Sequence, residues 1–412
     1  MTLAQIRSGL FGLGLYWFLL NLPFQFDFPP TALGLMLFGL AWIMRKTWLS
    51  LFWQLKSNPA FIIISLLYFW IAAGVLYSSD AESAQRVLVL KIPLLAWPLA
   101  LAGTENRFQF NHKKLLKAFS LSAVVSALLL LCLATWRFAF QQQADAFFFK
   151  SLFVWEMVPA HYLSLYFSFA AGLCLHHGLL AWRMSKRYIA IIWWICVLLL
   201  LVVVGLSGIR IQWIAMPLVL LTVMVHHLRR KPNLLKPAAI LLALGAAAIF
   251  FSPEFQRRLK VSVIEWKAMR GDAAEQYQTN PRYYLWKHGL SVIEQKPWFG
   301  HGTGGGTDAL NRSLEGETAT FWNGEASIPL NSRHYNLHSS YLQHLADHGM
   351  IGIILFLGLF LLPFIRPPRR GLPVESLIFL IACGISFLTE SMLQRQAGLF
   401  FFAFFYALLI VD

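Results

Sequence analysis

Apolar residues dominate this chain in long runs of about 15–22 positions, the length a helix needs to cross the hydrocarbon of a bilayer. The runs fall at about 8–22, 30–44, 59–77, 87–103, 116–137, 161–182, 188–206, 210–227, 236–252, 349–365, 373–389 and 396–411. This pattern predicts an all-α polytopic integral membrane protein with about twelve transmembrane helices. Leu10 to Leu20 has the character of a signal-peptide core, but Asn21-Leu22-Pro23-Phe24 is not a small-residue cleavage site. The first run is therefore read as a retained span.

One stretch breaks the pattern. From Phe251 to about Gly349 the chain is polar and gathers Arg, Lys, His, Glu and Gly. The expected organisation is spans one to nine over 1–252, a large helical extramembrane segment over 253–348, and spans ten to twelve over 349–412. Within the polar segment, Pro253 to Met269 mixes charged and apolar residues, and Pro281 to Gln295 carries Leu285, Trp286, Leu290 and Ile293 at helical spacing. Pro297 and the run Gly300-His301-Gly302-Thr303-Gly304-Gly305-Gly306 interrupt that pattern. A last helix is expected to start near His338 and to lead into the tenth span.

Composition agrees, with 58% hydrophobic and 13% charged residues and a mean hydropathy of +0.59. A soluble chain of this length needs far more charge to cover its surface. The net charge of +15 raises the question of a nucleic-acid partner, but topology accounts for most of it. With the N-terminus inside, the cytoplasmic loops hold just over half of the 34 basic residues, in clusters such as Lys113, Lys114 and Lys117 or Arg229, Arg230 and Lys231. The short outer loops carry only Arg86, Arg137, Lys150, Arg210 and Arg395. This alternation is the positive-inside rule. It predicts cytoplasmic termini, an extracytoplasmic polar segment, and basic clusters that face membrane lipids and no nucleic acid. Cys132, Cys174, Cys196 and Cys383 all sit in apolar runs, so no disulfide framework is expected.

Charges at the outer boundary of a membrane are costly without a task. Arg210 occupies the turn Ser207-Gly208-Ile209-Arg210, and Arg282 opens a helix after Asn280-Pro281, where an arginine opposes the helix dipole. Lys91 lies near the outer face, and Glu390 and Arg395 share the last outer loop, where they can simply pair with each other. Such a cationic cluster suits a phosphate or pyrophosphate on a lipid carrier, because guanidinium groups grip phosphate oxygens bidentately. The polar segment also offers His288, His301, His334, His338, His344 and His348, of which any could take a proton at neutral pH. No metal-ligand spacing is present, and the glycine run lacks the Gly-Lys-Ser/Thr of a nucleotide-binding loop. It reads as a flexible loop.

Several motifs in order resemble the O-antigen ligase/polymerase superfamily. They are Pro281-Arg282-Tyr283-Tyr284-Leu285-Trp286, Lys296-Pro297-Trp298-Phe299-Gly300-His301-Gly302, His338-Ser339-Ser340-Tyr341-Leu342-Gln343 and Gly349-Met350-Ile351-Gly352. Ligases of this superfamily are associated with His-[Asn/Ser/Gln], nine residues, Gly, two residues, then Gly, Thr or Tyr. His338, Ser339, Gly349 and Gly352 fit that spacing, with Ser339 where many members have Asn. The turn at Arg210 resembles the family's outer arginine. The likeness covers about 205–365.

The resemblance implies an inverting glycosyltransferase acting on the periplasmic face of a bacterial inner membrane. An undecaprenyl-pyrophosphate-linked glycan would be the donor and a sugar hydroxyl of lipid A–core the acceptor, with no cofactor and no metal. Carried over residue by residue, Arg210 and Arg282 would bind the donor pyrophosphate and His338 would be the general base. Lys91, His334 and Arg395 are secondary candidates. An O-antigen polymerase is the nearest rival, but polymerases are associated with Arg, ten residues, Gly, and no arginine here has glycine eleven positions on. An O-linked protein glycosyltransferase usually has a larger C-terminal outer region. A metal-dependent polyprenyl-phosphate-sugar transferase would use Asp80 and Glu82, which read more simply as a solvated pair. A membrane transporter would place its charges at mid-membrane.

Overall fold

The computed structural model of the protein describes residues 3–24, 55–56, 58–101, 112–153, 158–228, 250–251, 253–269, 281–319, 328–329, 334–367 and 371–411, with isolated positions at 36, 39, 243 and 247. Among the described residues, six helices are long and apolar enough to cross a membrane: Pro59–Tyr77, Ala81–Leu101, His112–Gln141, Ala160–Arg183, Arg187–Leu206 and Ser340–Ile365. Shorter apolar helices cover Gly9–Asn21, Gln212–His227, Val374–Ser386 and Gln396–Val411. The spans expected at 30–44 and 236–252 lie outside the described residues except for a few isolated positions. Both helices expected in the polar segment form, at Pro253–Met269 and Pro281–Gln295. A two-residue antiparallel ladder pairs Thr318–Ala319 with Ile328–Pro329.

The described chain divides into two compact units that interleave along the sequence. The first comprises residues 1–53, 100–256 and 372–385. Its centre is the helix Ala160–Arg183, which is buried on almost every face, as a helix with apolar residues all round must be. Small residues let its neighbours come close. A Cβ on Gly172 would collide with Val219 and Ile378, and Ser168 Oγ donates to Gln212 Oε1 at 2.9 Å. Close approach through small and hydroxylated side chains is how helices pack where the solvent offers no hydrophobic driving force.

The second unit holds residues 54–99, 257–371 and 386–412. Its central helix, Ser340–Ile365, packs against Pro59–Gly74 and begins where the sequence suggests, beside His338, with Ser339 as its N-cap. It is also broken. Gly349 sits at φ +63°, in the left-handed region, and a Cβ there would strike the Trp298 carbonyl. A broken helix exposes backbone groups that need partners, above all in an apolar interior. Here the polar segment and the helix Pro59–Gly74 supply them. The Ala346 carbonyl accepts from His301 N–H and the Asp347 carbonyl from Gly302 N–H, each at 2.9 Å. Trp70 Nε1 donates to the His348 carbonyl at 3.1 Å, and Met350 N–H donates to the Pro297 carbonyl at 2.8 Å.

The glycine run is therefore not a flexible loop. Residues 300–306 are buried, and Thr303 N–H is bound in turn to the Gly74 carbonyl at 3.1 Å. Side chains on Gly300 or Gly302 would meet the backbone of Asp347 or Ser78. The run is a plug that docks into the helix break. A small apolar core of Leu285, Ile293, Leu310, Leu314, Leu337 and Ala346 fixes the helices Pro281–Gln295 and Gly305–Ser313 beside it.

Candidate functional site

Three pieces of the second unit converge on one buried carboxylate. The first is the helix Pro281–Gln295. Pro281 occupies its first turn, where the missing N–H costs nothing, and Arg282 follows immediately. One turn on, and so on the same face, Trp286 Nε1 donates to the Leu337 carbonyl at 2.9 Å. The turn that carries the arginine is thus tied to the segment that carries the histidine.

That segment, residues 335–338, is held by side chains. Asn311 accepts from Tyr335 N–H at 3.0 Å and donates to the Tyr335 carbonyl at 2.9 Å. Asn336 Oδ1 accepts from His338 N–H at 2.9 Å. His338 itself adopts φ +45°, a conformation that costs a side-chain-bearing residue about 1–3 kcal/mol and tends to persist where function requires it. Ser339 then caps the helix by accepting from Leu342 N–H at 3.4 Å.

The third piece is the loop after Ser386. Ser340 N–H donates to the Phe387 carbonyl at 2.9 Å, its hydroxyl donates to the Glu390 carbonyl at 3.0 Å, and Met392 N–H donates back to that hydroxyl at 3.1 Å. So held, Glu390 turns its carboxylate to His338 Nδ1, with Oε2 at 3.2 Å. The same oxygen lies 3.8 Å from Arg282 Nη2. The carboxylate is only 10% exposed, while His338 and Arg282 are 31% and 28% exposed. An inner anion is faced by two outer groups that solvent or substrate can reach.

A carboxylate only accepts, so the proton on this imidazole sits on Nδ1 and Nε2 is the ring nitrogen able to receive one. The sequence alone suggests that Glu390 pairs with Arg395. In the structure its carboxylate serves His338 and Arg282, and Arg395 is exposed at the start of the helix Gln396–Tyr406. No local spacing signals this, since Glu390 stands 52 residues from His338.

The other candidates separate. Lys91 is buried, 4% exposed, and its ammonium donates to the Leu393 carbonyl within the same loop. It supports the loop through that bond. His334 is exposed and acts on Asp308, whose carboxyl is pushed up by burial and by Asp80 and eased down by Arg312 and His334. Arg210 belongs to the first unit, in a turn where Gly208 takes φ +66° and Ser207 Oγ accepts from Ile209 N–H at 3.3 Å. Of the remaining histidines, His301 is buried with Nε2 2.9 Å from the Val292 carbonyl, and burial holds it below its ordinary pKa. His344 and His348 are buried in the central helix, and His288 lies 3.6 Å from Glu317.

Asp80 caps the helix Ala81–Lys91 by accepting from Ser83 N–H at 3.0 Å, and Glu82 pairs with Arg86 at 2.9 Å. Both have structural work. Among the described residues no group of three or more His, Cys, Asp or Glu is arranged to hold a metal ion. Apart from Gly304, the amides of residues 300–306 are bonded to protein acceptors, which makes the run a poor phosphate cradle.

Comparison with known proteins reaches the same region. A family model described as O-antigen ligase matches residues 195–357, which include Arg210, Arg282, His338 and both motif glycines. An uncharacterized protein of Haemophilus influenzae is 21% identical over 225 residues, half of this chain and 53% of that relative. The chain thus spans about half the length of the curated relative it matches. The resemblance to the O-antigen ligase superfamily carried by the histidine and glycine motifs is therefore shown, over residues 195–357.

Proposed function

We propose that this protein is an inverting glycosyltransferase of the O-antigen ligase type. On this reading it transfers a glycan from undecaprenyl pyrophosphate to a sugar hydroxyl of lipid A–core, at the periplasmic face of the inner membrane. The observation that supports it most is the contact of His338 with Glu390, beside Arg282. The acceptor hydroxyl gives its proton to His338 Nε2 as its oxygen attacks the anomeric carbon. Glu390, on Nδ1, holds the ring and stabilises the imidazolium that forms. The bond from the anomeric carbon to pyrophosphate breaks on the opposite face, and its electron pair leaves with the pyrophosphate.

Pyrophosphate needs cations more than it needs an acid, because the developing charge sits on its phosphate oxygens. Arg282 takes that part here. Arg210 takes it too, as the family resemblance implies. An acceptor-side base with donor-side guanidinium groups completes the reaction without a glycosidase-type pair of acids. The ligase reading is preferred to a polymerase because the histidine and glycine spacing of ligases is present and the arginine and glycine spacing of polymerases is absent.

A strain lacking the protein tests this reading. It is expected to accumulate lipid-linked glycan and to display lipid A–core without it. Normal glycan attachment would overturn the proposal, and failure to extend the lipid-linked glycan would favour a polymerase.

A further inference from the structure

Leu337, the residue that precedes His338, is gripped on both sides. Trp286 takes the Leu337 carbonyl, and Gln343 Oε1 accepts from Leu337 N–H at 3.1 Å. Gln343 is 3% exposed, and the way its amide faces is set by what lies behind it. Its Nε2 donates to Asp347 Oδ2 and to Thr307 Oγ1, each at 3.0 Å. Asp347 is 4% exposed, and its other oxygen accepts from Gly306 N–H at 2.9 Å. A carboxylate accepts and a peptide N–H donates, so the amide must point its nitrogen at Asp347 and its oxygen at Leu337. One helical turn separates the two side chains, which stack them on one face. The chain of bonds runs from the docked glycine run, through Asp347 and Gln343, to the backbone of Leu337, next to the strained histidine.

We propose that Gln343 and Asp347 are positioning residues that hold His338 against Glu390. The proposal rests on the reading of His338 as the base. Without the Asp347 carboxylate the amide of Gln343 has no fixed sense. It can then turn its NH2 toward Leu337 N–H, where two donors meet. The Asn336–Leu337 peptide is released, and the histidine that follows, at φ +45°, has every reason to relax away from the carboxylate. The glycine run gains a role in the same stroke, because Gly306 both feeds Asp347 and leaves no room for a side chain beside it.

The test uses Asp347→Asn, Gln343→Glu and the double exchange in the full-length protein in detergent. Each single change sets donor against donor or carboxylate against carboxylate. The exchange restores complementarity, since a carboxylate at position 343 can accept both from Leu337 N–H and from an amide at position 347, at unchanged net charge. Three quantities are read: transfer kinetics, the melting temperature, and the rate at which diethyl pyrocarbonate labels His338, measured on its peptide by mass spectrometry. The single variants are expected to lose about tenfold or more in kcat, as misplaced reacting groups do, with the donor KM unchanged and His338 labelled several times faster. The exchange should return both kcat and labelling most of the way.

Folded single variants with wild-type kcat and wild-type labelling would overturn the proposal, as would an exchange no better than its parents. A lower melting temperature with labelling unchanged would reduce the pair to a structural role and also overturn it. The labelling does not depend on the reaction catalysed. If the wild-type protein transfers no glycan, the functional reading fails while the labelling still decides the positioning.

Discussion

Replacing Glu390 with glutamine tests the site at the residue that local sequence pattern conceals. The substitution keeps the shape and removes the charge that faces His338 Nδ1 at 3.2 Å. A hydrogen bond to a charged group contributes about 1.5–3 kcal/mol. His338 is 31% exposed, so solvent screening pulls the effect to the lower part of that range, about 1.5–2 kcal/mol. The stabilisation matters most when the imidazole has taken the proton, so it belongs to the transition state and should be lost from kcat. That corresponds to a fall of roughly ten- to thirtyfold. The donor KM should not rise, because Arg282 keeps its place and loses a carboxylate 3.8 Å away that competes with phosphate. Steady-state transfer with purified donor and acceptor, varying each in turn, gives both parameters. A variant with wild-type kcat, or one whose whole defect lies in the donor KM, would refute this assignment of Glu390.

Arg282→Ala should show the opposite split, with a raised donor KM or weakened carrier-lipid binding, and Arg282→Lys should recover only part because a bidentate grip is lost. Gly349→Ala forces a side chain into φ +63° and against the Trp298 carbonyl, so the melting temperature in detergent should fall by an amount equivalent to about 1–3 kcal/mol or more. His301 gives a pH dependence. Burial depresses its folded pKa, so its contribution to stability is fully present above the unfolded value of about 6.5. The contribution is lost as pH falls toward and through the lower folded value. Melting temperatures measured between about pH 7.5 and pH 5 should therefore decline, and His301→Gln should flatten the slope; an unchanged slope would contradict the role given to its burial.

The helices that frame the site are open to periodicity alone. The 3.6-residue pattern from Pro281 to Gln295 and the apolar length of the runs at 59–77 and 188–206 depend on neighbours a turn away, and the structure has helices there. The spacing from His338 to Gly349 and Gly352 is visible in the sequence as well, but its meaning is not. Gly349 is needed because a helix breaks there, and the break is tolerable only because Pro297, His301, Gly302 and Trp70 supply its missing hydrogen bonds. Those partners lie tens to hundreds of residues away, and the same distance hides the glycine run's true character. Glu390 is misread for a related reason. Its neighbour Arg395 offers a partner within one loop, whereas His338 and Arg282 reach it only after two other segments have docked. Gln343 and Asp347 look like ordinary positions on a helix, since nothing local distinguishes a buried amide that orients a distant backbone from one that faces solvent.

Reconstitution of the reaction with His338→Ala tests the central claim most directly. Purified protein in detergent would be given undecaprenyl-pyrophosphate-linked glycan and lipid A–core, without nucleotide, ion gradient or added metal and with EDTA present. The wild-type protein is expected to attach the glycan to lipid A–core, and His338→Ala is expected to bind the lipid-linked donor as the wild type does while transferring none. Transfer by His338→Ala at a rate near that of the wild type would contradict the account.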